Sequence, residues 1–257
     1  MRGGLRPHSQ SRWPYVWRGC SKVNDLNIAP SAEKEFAAPF TPDEIRDLPV
    51  VISAPRFATY LQAMGNDRGL ALDLYEWNLT LSAAFIVPLQ VCEVAVRNGV
   101  VEAIEKVHGL TWPWSNGFLR SLPRPRRPFD YNPEADLRGV ASRQPTTGKV
   151  VAELKFAFWE QRFTAGQDNR IWRPHFAASF PGAPVRMPIP AARATANNNL
   201  RAIRKLRNRI AHHEPIFTRN VQDDYNRIHE MISWRSQTAA AWMDRKQSVT
   251  ALIPLKP

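Results

Sequence analysis

Apolar residues recur at intervals of three and four positions along most of the chain, which is the spacing of one face of an α-helix. The segment "SAPRFATYLQAM" shows the pattern, with Phe57, Tyr60, Leu61 and Met64 on one face. Neither alternating strand pairs with hairpin turns nor a repeat of about 20 to 50 residues stands out. We therefore predict an all-α fold, a helical bundle that forms one domain over residues 41–257.

Several helix boundaries are marked by residues with known positional preferences. Thr41 is a predicted N-cap, and Glu44, three residues later, completes a capping box. A helical pattern then continues over residues 69–108, and Gly109 marks its end. Pro88 lies inside this pattern and lacks the backbone donor of a continuous helix, so we expect a kink or break there.

The second half of the chain alternates between helical and irregular patterns. Residues 112–144 are rich in proline and aromatic side chains and predict a long loop, with one short helix after Pro133. Helical spacing resumes in "GKVVAELKFAFWEQRF" and "NRIWRPHFAASF". A proline-rich connector, "PGAPVRMPIP", then leads to a helix from about Ala191 to His212 and a last helix from about Asn220 to Asp244.

The charge balance points to an acidic partner. The chain has 35 Lys and Arg residues against 23 Asp and Glu residues, a formal net charge of +12. Such an excess attracts polyanions, nucleic acid first and acidic membrane surfaces second. The two cysteines, Cys20 and Cys92, form no C-x-x-C motif, so they predict a cytoplasmic protein without a disulfide framework or a zinc ribbon.

Targeting signals are not evident. No uninterrupted apolar run reaches the roughly 18 to 20 residues of a membrane-spanning helix, so we expect no membrane segment. Residues 1–40 are basic but lack the apolar core of a signal peptide, and we expect a poorly ordered leader there.

A basic segment precedes the most informative motif. No Asp or Glu occurs between Asn169 and His213, although helices on a protein surface usually mix both signs. Two interpretations remain open, a basic surface face and a phosphate-binding track. The nine basic residues of this interval are Arg170, Arg173, Arg186, Arg193, Arg201, Arg204, Lys205, Arg207 and Arg209.

The end of this helix carries residues suited to acid-base chemistry, in "LRNRIAHHEPIF". Asn208 and His212 are four positions apart and share a helical face, whereas Arg207 lies about 140° round from His212. Pro215 indicates that the helix stops nearby. On one straight helix the three residues do not cluster. Two arrangements would still bring them into one site: the helix ends near Ala211, or a second copy of the chain completes the site.

Arginine, an amide and histidine together suit cleavage of RNA without a metal. Histidine titrates near neutral pH and can accept the proton of a ribose 2′-hydroxyl that attacks the neighbouring phosphate. Arginine can hold the charge that develops on the phosphoryl oxygens. The structural alternative is that His212 and His213 are histidines favoured at a helix C-terminus by the helix dipole, with Arg207 in a surface ion pair.

The motif resembles the signature of the Abi-like (abortive infection) proteins, a bacterial branch of the HEPN superfamily, whose members share an Arg, a polar residue, a short gap and a His. Upstream, "RFATYLQAMGNDRGLALDLYEWNLTLSAAFIVPLQVCEVAVRN" and "KFAFWEQRF" are also similar to this family. The resemblance covers about Pro55 to Asp244. It assigns Arg207, Asn208 and His212 as the catalytic residues.

The family implies an all-α HEPN-like bundle with additional helices and, for many members, an endoribonuclease without metal or cofactor. Its site is typically composite, with Arg and His from two protomers meeting at a dimer interface, so a homodimer is expected. Members act as toxins or in phage defence, some are associated with a small structured RNA, and an antitoxin is a possible partner. Other HEPN domains are binding modules without cleavage activity.

Further residues are candidates for the same site. His213 adjoins the motif. Glu93, Arg97 and Asn98 belong to the earlier segment "EVAVRN", which ends in an Arg-Asn pair as "LRN" does in the motif. Glu93 and Arg97 are four positions apart, so an ion pair between them is the favoured interpretation and a place near the RNA is the alternative. The residues predicted to contact RNA are Arg193, Arg201, Arg204, Lys205 and Arg209.

Two other clusters are open to more than one interpretation. Adjacent residues on a helix point apart, so "HHE" at 212–214 predicts no metal site. The proline-rich loop either clamps single-stranded RNA or places its tryptophans over the core. Its relevant residues are Trp112, Trp114, Arg120, Arg124, Arg126 and Arg127.

Three functions remain open from the sequence. The first is an RNA-cleaving abortive-infection protein, and the second is a non-catalytic module that holds a regulatory RNA. The third is a scaffold whose basic face binds an acidic protein.

Overall fold

Helices form every regular element in the part of the chain that the computed structural model describes, residues 40–125 and 127–257. The prediction of an all-α fold is confirmed there, while the leader predicted over residues 1–40 and the loop residue Arg126 lie outside the described residues, apart from Phe40. The α-helices are α1 (Pro42–Ile52), α2 (Ala54–Ala63), α3 (Arg68–Ala84), α4 (Ile86–His108), α5 (Asn116–Arg120), α6 (Pro133–Ala141), α7 (Thr147–Glu153), α8 (Phe156–Glu160), α9 (Arg173–Ser179), α10 (Ile189–Ala211), α11 (Val221–Arg235), α12 (Gln237–Asp244) and α13 (Val249–Leu252).

Shorter turns of helix connect some of these elements. A π-helical turn over Asp168–Trp172 leads directly into α9. The 3₁₀ turns are Trp112–Trp114, Gln161–Phe163, Ala165–Gln167 and Ile253–Leu255.

Two boundaries follow the sequence signals. The Thr41 hydroxyl accepts a hydrogen bond from the Glu44 backbone at 3.3 Å, and the Glu44 carboxylate accepts one from the Thr41 backbone at 2.8 Å. The break expected in the pattern over residues 69–108 is also present, between α3 and α4 at Phe85. Pro88 has no N–H to donate to the carbonyl of Ala84, and the break lies at that carbonyl.

The predicted single helix from Asn220 to Asp244 is wrong, because it is divided into α11 and α12. Ser236 has an extended backbone (φ −165°, ψ 118°), and its hydroxyl accepts from the Ala239 N–H at 3.2 Å. Serine is a favoured N-cap, so "WRSQTA" contained a helix-start signal that the apolar spacing masked.

The predicted loop over residues 112–144 is more ordered than expected, because it contains a 3₁₀ turn and α5 besides α6. Trp112 is fully buried, and the Trp114 indole donates to the Ala141 carbonyl at 3.0 Å. The interpretation as a core-covering residue is therefore confirmed for Trp112, whereas Trp114 is 41% exposed.

The core is built around α4, which packs against α3, α9 and α11, while α10 packs against α11 and α8. The connector before α10 is fixed at Gly182, whose N–H donates to the Trp234 carbonyl at 2.9 Å. A Cβ at this position would lie 2.2 Å from the Ser233 carbonyl oxygen, so only glycine permits the approach.

Helices α3 and α4 together, Arg68–His108, are long and apolar enough to cross a membrane by length and composition alone. This finding qualifies the expectation of no membrane segment, although buried helices of soluble proteins also meet the test. Only 33% of the apolar stretch is buried, so one side of the helix pair is exposed. That exposed side lines the groove described next.

Candidate active site

The histidines lie in a tight turn that ends α10. The helix stops at Ala211, and His213 adopts a left-handed backbone with φ 56°. The His213 N–H donates to the Ile210 carbonyl at 3.0 Å, and the Glu214 N–H donates to the Arg209 carbonyl at 2.8 Å. This is a Schellman-type ending, in which glycine or asparagine normally takes the left-handed position. A histidine there costs about 1 kcal/mol in backbone strain.

The chain just beyond the turn is held by a buried amide on α3. The Asn78 side-chain oxygen accepts hydrogen bonds from the backbone N–H groups of Ile216 at 2.7 Å and Phe217 at 3.1 Å. Buried backbone donors need such partners, so Asn78 fixes this segment against the core. The signal in the sequence was a polar residue on an apolar face, between Leu74 and Leu81.

Three cations bind carbonyl groups of the same segment. Arg209 donates to the Pro215 carbonyl through Nε at 2.9 Å and Nη2 at 2.7 Å. Arg56 donates to the carbonyl of His213 at 3.1 Å. Lys256 donates to the carbonyl of Phe217 at 3.0 Å. No sequence signal indicated these roles for Arg56 and Lys256, because both residues are distant in sequence from the turn.

An open groove of about 750 Å³ lies between α3 and α4 on one side and the end of α10 on the other. Arg207, His213, Glu93 and Arg97 line it, so the structure brings together four of the residues singled out in the sequence. The remaining lining is mainly apolar, and its residues are Leu79, Ser82, Ala83, Ile86, Leu89, Gln90, Val94, Ile210 and Ala211.

Three predicted site residues do not line this groove. His212 is exposed immediately beside it, Asn208 is half-buried one turn earlier, and Asn98 is exposed on α4. Arg207 and His212 therefore do not line the groove together within one chain. Because the helix ends at Ala211, the turn places His213 rather than His212 beside Arg207.

The charged and imidazole side chains that line the groove have no internal partners. In the described part of the chain, no hydrogen bond or ion pair involves the side chains of Arg207, His213, Glu93 or Arg97. The ion pair expected between Glu93 and Arg97 is thus absent there, and the buried Nε of Arg97 has no partner. Unpartnered buried donors are costly, and a bound anion would satisfy this one.

Most of the other basic residues of α10 have partners from elsewhere in the chain. Arg193 donates to the Phe163 carbonyl at 2.9 Å and lies 2.6 Å from the Asp168 carboxylate. Arg204 pairs with the buried carboxylate of Glu160. The interval without acidic residues is therefore partly neutralised in space by two acids that precede it.

Of the residues predicted to contact RNA, two remain largely free. Arg201 has a side chain 58% exposed and 3.9 Å from Glu160, and Lys205 is exposed. Arg193, Arg204 and Arg209 use their guanidinium groups for the internal contacts given above.

Comparison with protein-family models, with curated proteins and with solved structures finds no match for this chain. The geometry of the site is therefore the guide to its chemistry. Among the described residues, no group of three or more His, Cys, Asp and Glu side chains is arranged to hold a metal ion. What the groove offers is one imidazole, two guanidinium groups and the carboxylate of Glu93. This set can bind a phosphate and transfer a proton.

Proposed function

We propose that the protein is an RNA-binding, metal-independent endoribonuclease of the Abi-like, HEPN type, acting in phage defence or as a toxin. The observation that carries this proposal is the groove in which Arg207, Arg97 and His213 meet without internal partners. Guanidinium groups bind phosphate oxygens with paired donors, and an imidazole is the side chain best suited to proton transfer near neutral pH.

The reaction follows from these groups. The imidazole of His213 accepts the proton of a ribose 2′-hydroxyl while the 2′-oxygen attacks the adjacent phosphorus. The bond from phosphorus to the 5′-oxygen then breaks, and that oxygen takes a proton, for which His212 beside the groove is the candidate donor. Arg207 and Arg97 stabilise the charge on the non-bridging oxygens. The products are a 2′,3′-cyclic phosphate and a 5′-hydroxyl.

A second copy of the chain is the proposed occupant of the apolar part of the groove. Leu79 is 58% exposed, Ile86 51% and Val94 40%, which is unusual for large apolar side chains that lie side by side. A two-fold arrangement buries these side chains against their counterparts in the second copy and leaves Arg97 to the phosphate. His212 then approaches the second copy's Arg207 at the edge of the interface.

The dimer gives a direct prediction. Replacing Val94 with glutamate places a charge in the apolar contact, and we expect a dimer to become a monomer at the same concentration. Light scattering after size exclusion measures the mass. Val185→Glu is the control, because Val185 is 98% exposed in the connector before α10 and outside the groove. A wild-type monomer, or a dimer unaffected by Val94→Glu, would contradict this arrangement.

The enzymatic proposal is tested with purified protein and total cellular RNA in the presence of a chelator. We expect wild type to cut RNA. Arg207→Ala should cut it at a rate at least about 10²-fold lower, because one charge-stabilising donor is removed. Arg186→Ala removes an exposed arginine that does not line the groove and should match wild type. RNA left intact by wild type, or cut equally by Arg207→Ala, would end the proposal.

A non-catalytic module that holds a regulatory RNA is the second candidate. It is favoured by one observation, that Asn208 and His212 do not line the groove with Arg207. In that case a discrete RNA co-purifies with the protein uncut, and its binding survives replacement of both histidines while weakening steeply with salt.

A further inference from the structure

Two more cavities of the described structure share Gly166 in their linings, and we call the two together the arginine channel. The first, of about 570 Å³, is lined by Arg120 and Arg170. The second, of about 740 Å³, is lined by Arg124, Arg201 and Arg204. Gly166 lines both, so five arginines from three separate stretches of the chain line two cavities that share this residue.

The charge of the channel is largely unneutralised. In the described part of the chain, the side chains of Arg120, Arg124 and Arg170 take part in no hydrogen bond or ion pair. The acids that line the channel are Glu160, which is engaged by Arg204 and lies 3.9 Å from Arg201, and Asp130, which accepts from the Arg127 backbone at 3.0 Å. An open depression with unpaired guanidinium groups is a site for phosphate groups.

The channel also offers contacts for bases. Phe129 lines it and is 100% exposed, which fits a platform on which a base stacks. Gln161 lines it as well, and its side-chain oxygen is buried without a partner in the described structure. The N–H of a base edge would satisfy this acceptor. Aromatic and amide groups next to arginines are a combination that binds single strands rather than isolated phosphate ions.

The channel adjoins the groove along α10. By helix geometry, Arg204 lies about 60° round and about 4.5 Å along the axis from Arg207, and Arg201 lies about 9 Å from Arg207 along the axis. Arg201 is about 120° round from Arg207 in the same sense as Arg204, so a strand bound at Arg207 reaches the channel by turning round the surface of α10 past Arg204.

We propose that the arginine channel binds a single-stranded segment of RNA next to the linkage held in the groove. This inference rests on the proposed function for the identity of the polymer. Phosphates contact Arg120, Arg124, Arg170 and Arg201, and a base stacks on Phe129 and bonds to Gln161. The channel thereby sets which RNAs the groove receives, single strands long enough to reach both.

Gly166 allows the channel to be blocked without disturbing the fold. A Cβ built at Gly166 meets no atom within 4 Å, and its backbone is not left-handed. Gly166→Glu therefore adds a negative charge at the junction of the two cavities. Gly148→Glu is the matched control, because Gly148 also has open space around it, lies on α7 and lines neither cavity.

Binding is measured by fluorescence anisotropy with a labelled, unstructured RNA of about 12 nucleotides, a length within the range of single-strand sites. All proteins in this experiment carry alanine at His212 and His213, so RNA cleavage does not interfere with the binding measurement. We expect Gly166→Glu to weaken binding about tenfold or more relative to Gly148→Glu. We expect the double variant Arg120→Gln, Arg170→Gln to reduce the slope of log affinity against log salt by about 0.7 for each phosphate that the protein no longer neutralises.

The outcomes separate the channel from the catalytic proposal. Equal affinity of Gly166→Glu and Gly148→Glu, with an unchanged salt slope for the arginine pair, overturns the channel even if wild type cuts RNA. Channel-dependent binding by a wild type that never cuts RNA supports the channel and removes only the enzyme. Binding of polyglutamate through the same residues, but not of RNA, would overturn it in favour of an acidic protein.

Discussion

Replacement of His213 with glycine is expected to make the protein more stable and inactive at once. Glycine adopts the left-handed backbone of this position freely, so the free energy of unfolding should rise by about 0.5 to 1 kcal/mol. The same change removes the imidazole from the groove, and RNA cleavage should fall by about 10²- to 10⁴-fold. Urea unfolding and cleavage rates, measured on the same preparation, test both statements.

The neighbouring histidine provides the control for this prediction. His212 has φ −96°, so His212→Gly relieves no left-handed strain and should give no gain in stability. If His213→Gly cuts RNA within a few-fold of wild type while His212→Gly is inactive, the proton acceptor is His212. If His213→Gly is less stable than wild type, the left-handed turn is not the source of strain.

Replacement of Asn78 with leucine is expected to give the largest loss of stability. Leucine has a similar size but no acceptor, so the N–H groups of Ile216 and Phe217 stay buried without partners. Each unsatisfied group costs about 1 to 3 kcal/mol, and we expect a total of about 3 kcal/mol or more from urea unfolding. Cleavage should fall as well, because the turn that carries His213 loses its attachment to α3.

Two further asparagine variants define the cause. Asn226 is exposed on α11 and bonds only to Gln222, at 2.9 Å, so Asn226→Leu should change stability by about 0.5 kcal/mol or less. Asn78→Asp keeps an acceptor oxygen for both N–H groups and should be more stable than Asn78→Leu. A loss below about 1 kcal/mol for Asn78→Leu would show that the two N–H groups find other partners.

The fold was predictable where one local signal dominates. The capping box at Thr41, the break caused by Pro88 and the helix after Pro133 each depend on residues a few positions apart, and all three are present. The division at Ser236 was missed because its apolar spacing continues on both sides, and only the capping hydroxyl marks the break. Tertiary packing, which periodicity does not encode, ordered part of the loop around Trp112.

The site was predictable in composition but not in arrangement. The motif and the earlier "EVAVRN" segment supplied Arg207, His213, Glu93 and Arg97, which line one groove. The choice between the two histidines depends on the helix ending at Ala211 and on the left-handed turn that follows, which spacing along an ideal helix does not reveal. Asn78 acts across a long sequence separation and left no trace in the motif.

The charge of α10 shows the same limit. Along the chain, the interval from 169 to 213 has no acid, which left a basic surface face and a phosphate-binding track both open. In space, Glu160 and Asp168 lie against Arg204 and Arg193, so the free positive charge is concentrated elsewhere, at the groove and in the arginine channel.

The central claim, attack by a ribose 2′-hydroxyl assisted by the groove, is tested most directly with a short RNA that carries one 2′-deoxy sugar at the cleaved position. The account predicts that cleavage at this linkage disappears, and that the all-ribose RNA yields a 2′,3′-cyclic phosphate and a 5′-hydroxyl. Cleavage of the deoxy-substituted linkage at an unchanged rate, or products with a 3′-hydroxyl and a 5′-phosphate, would contradict it.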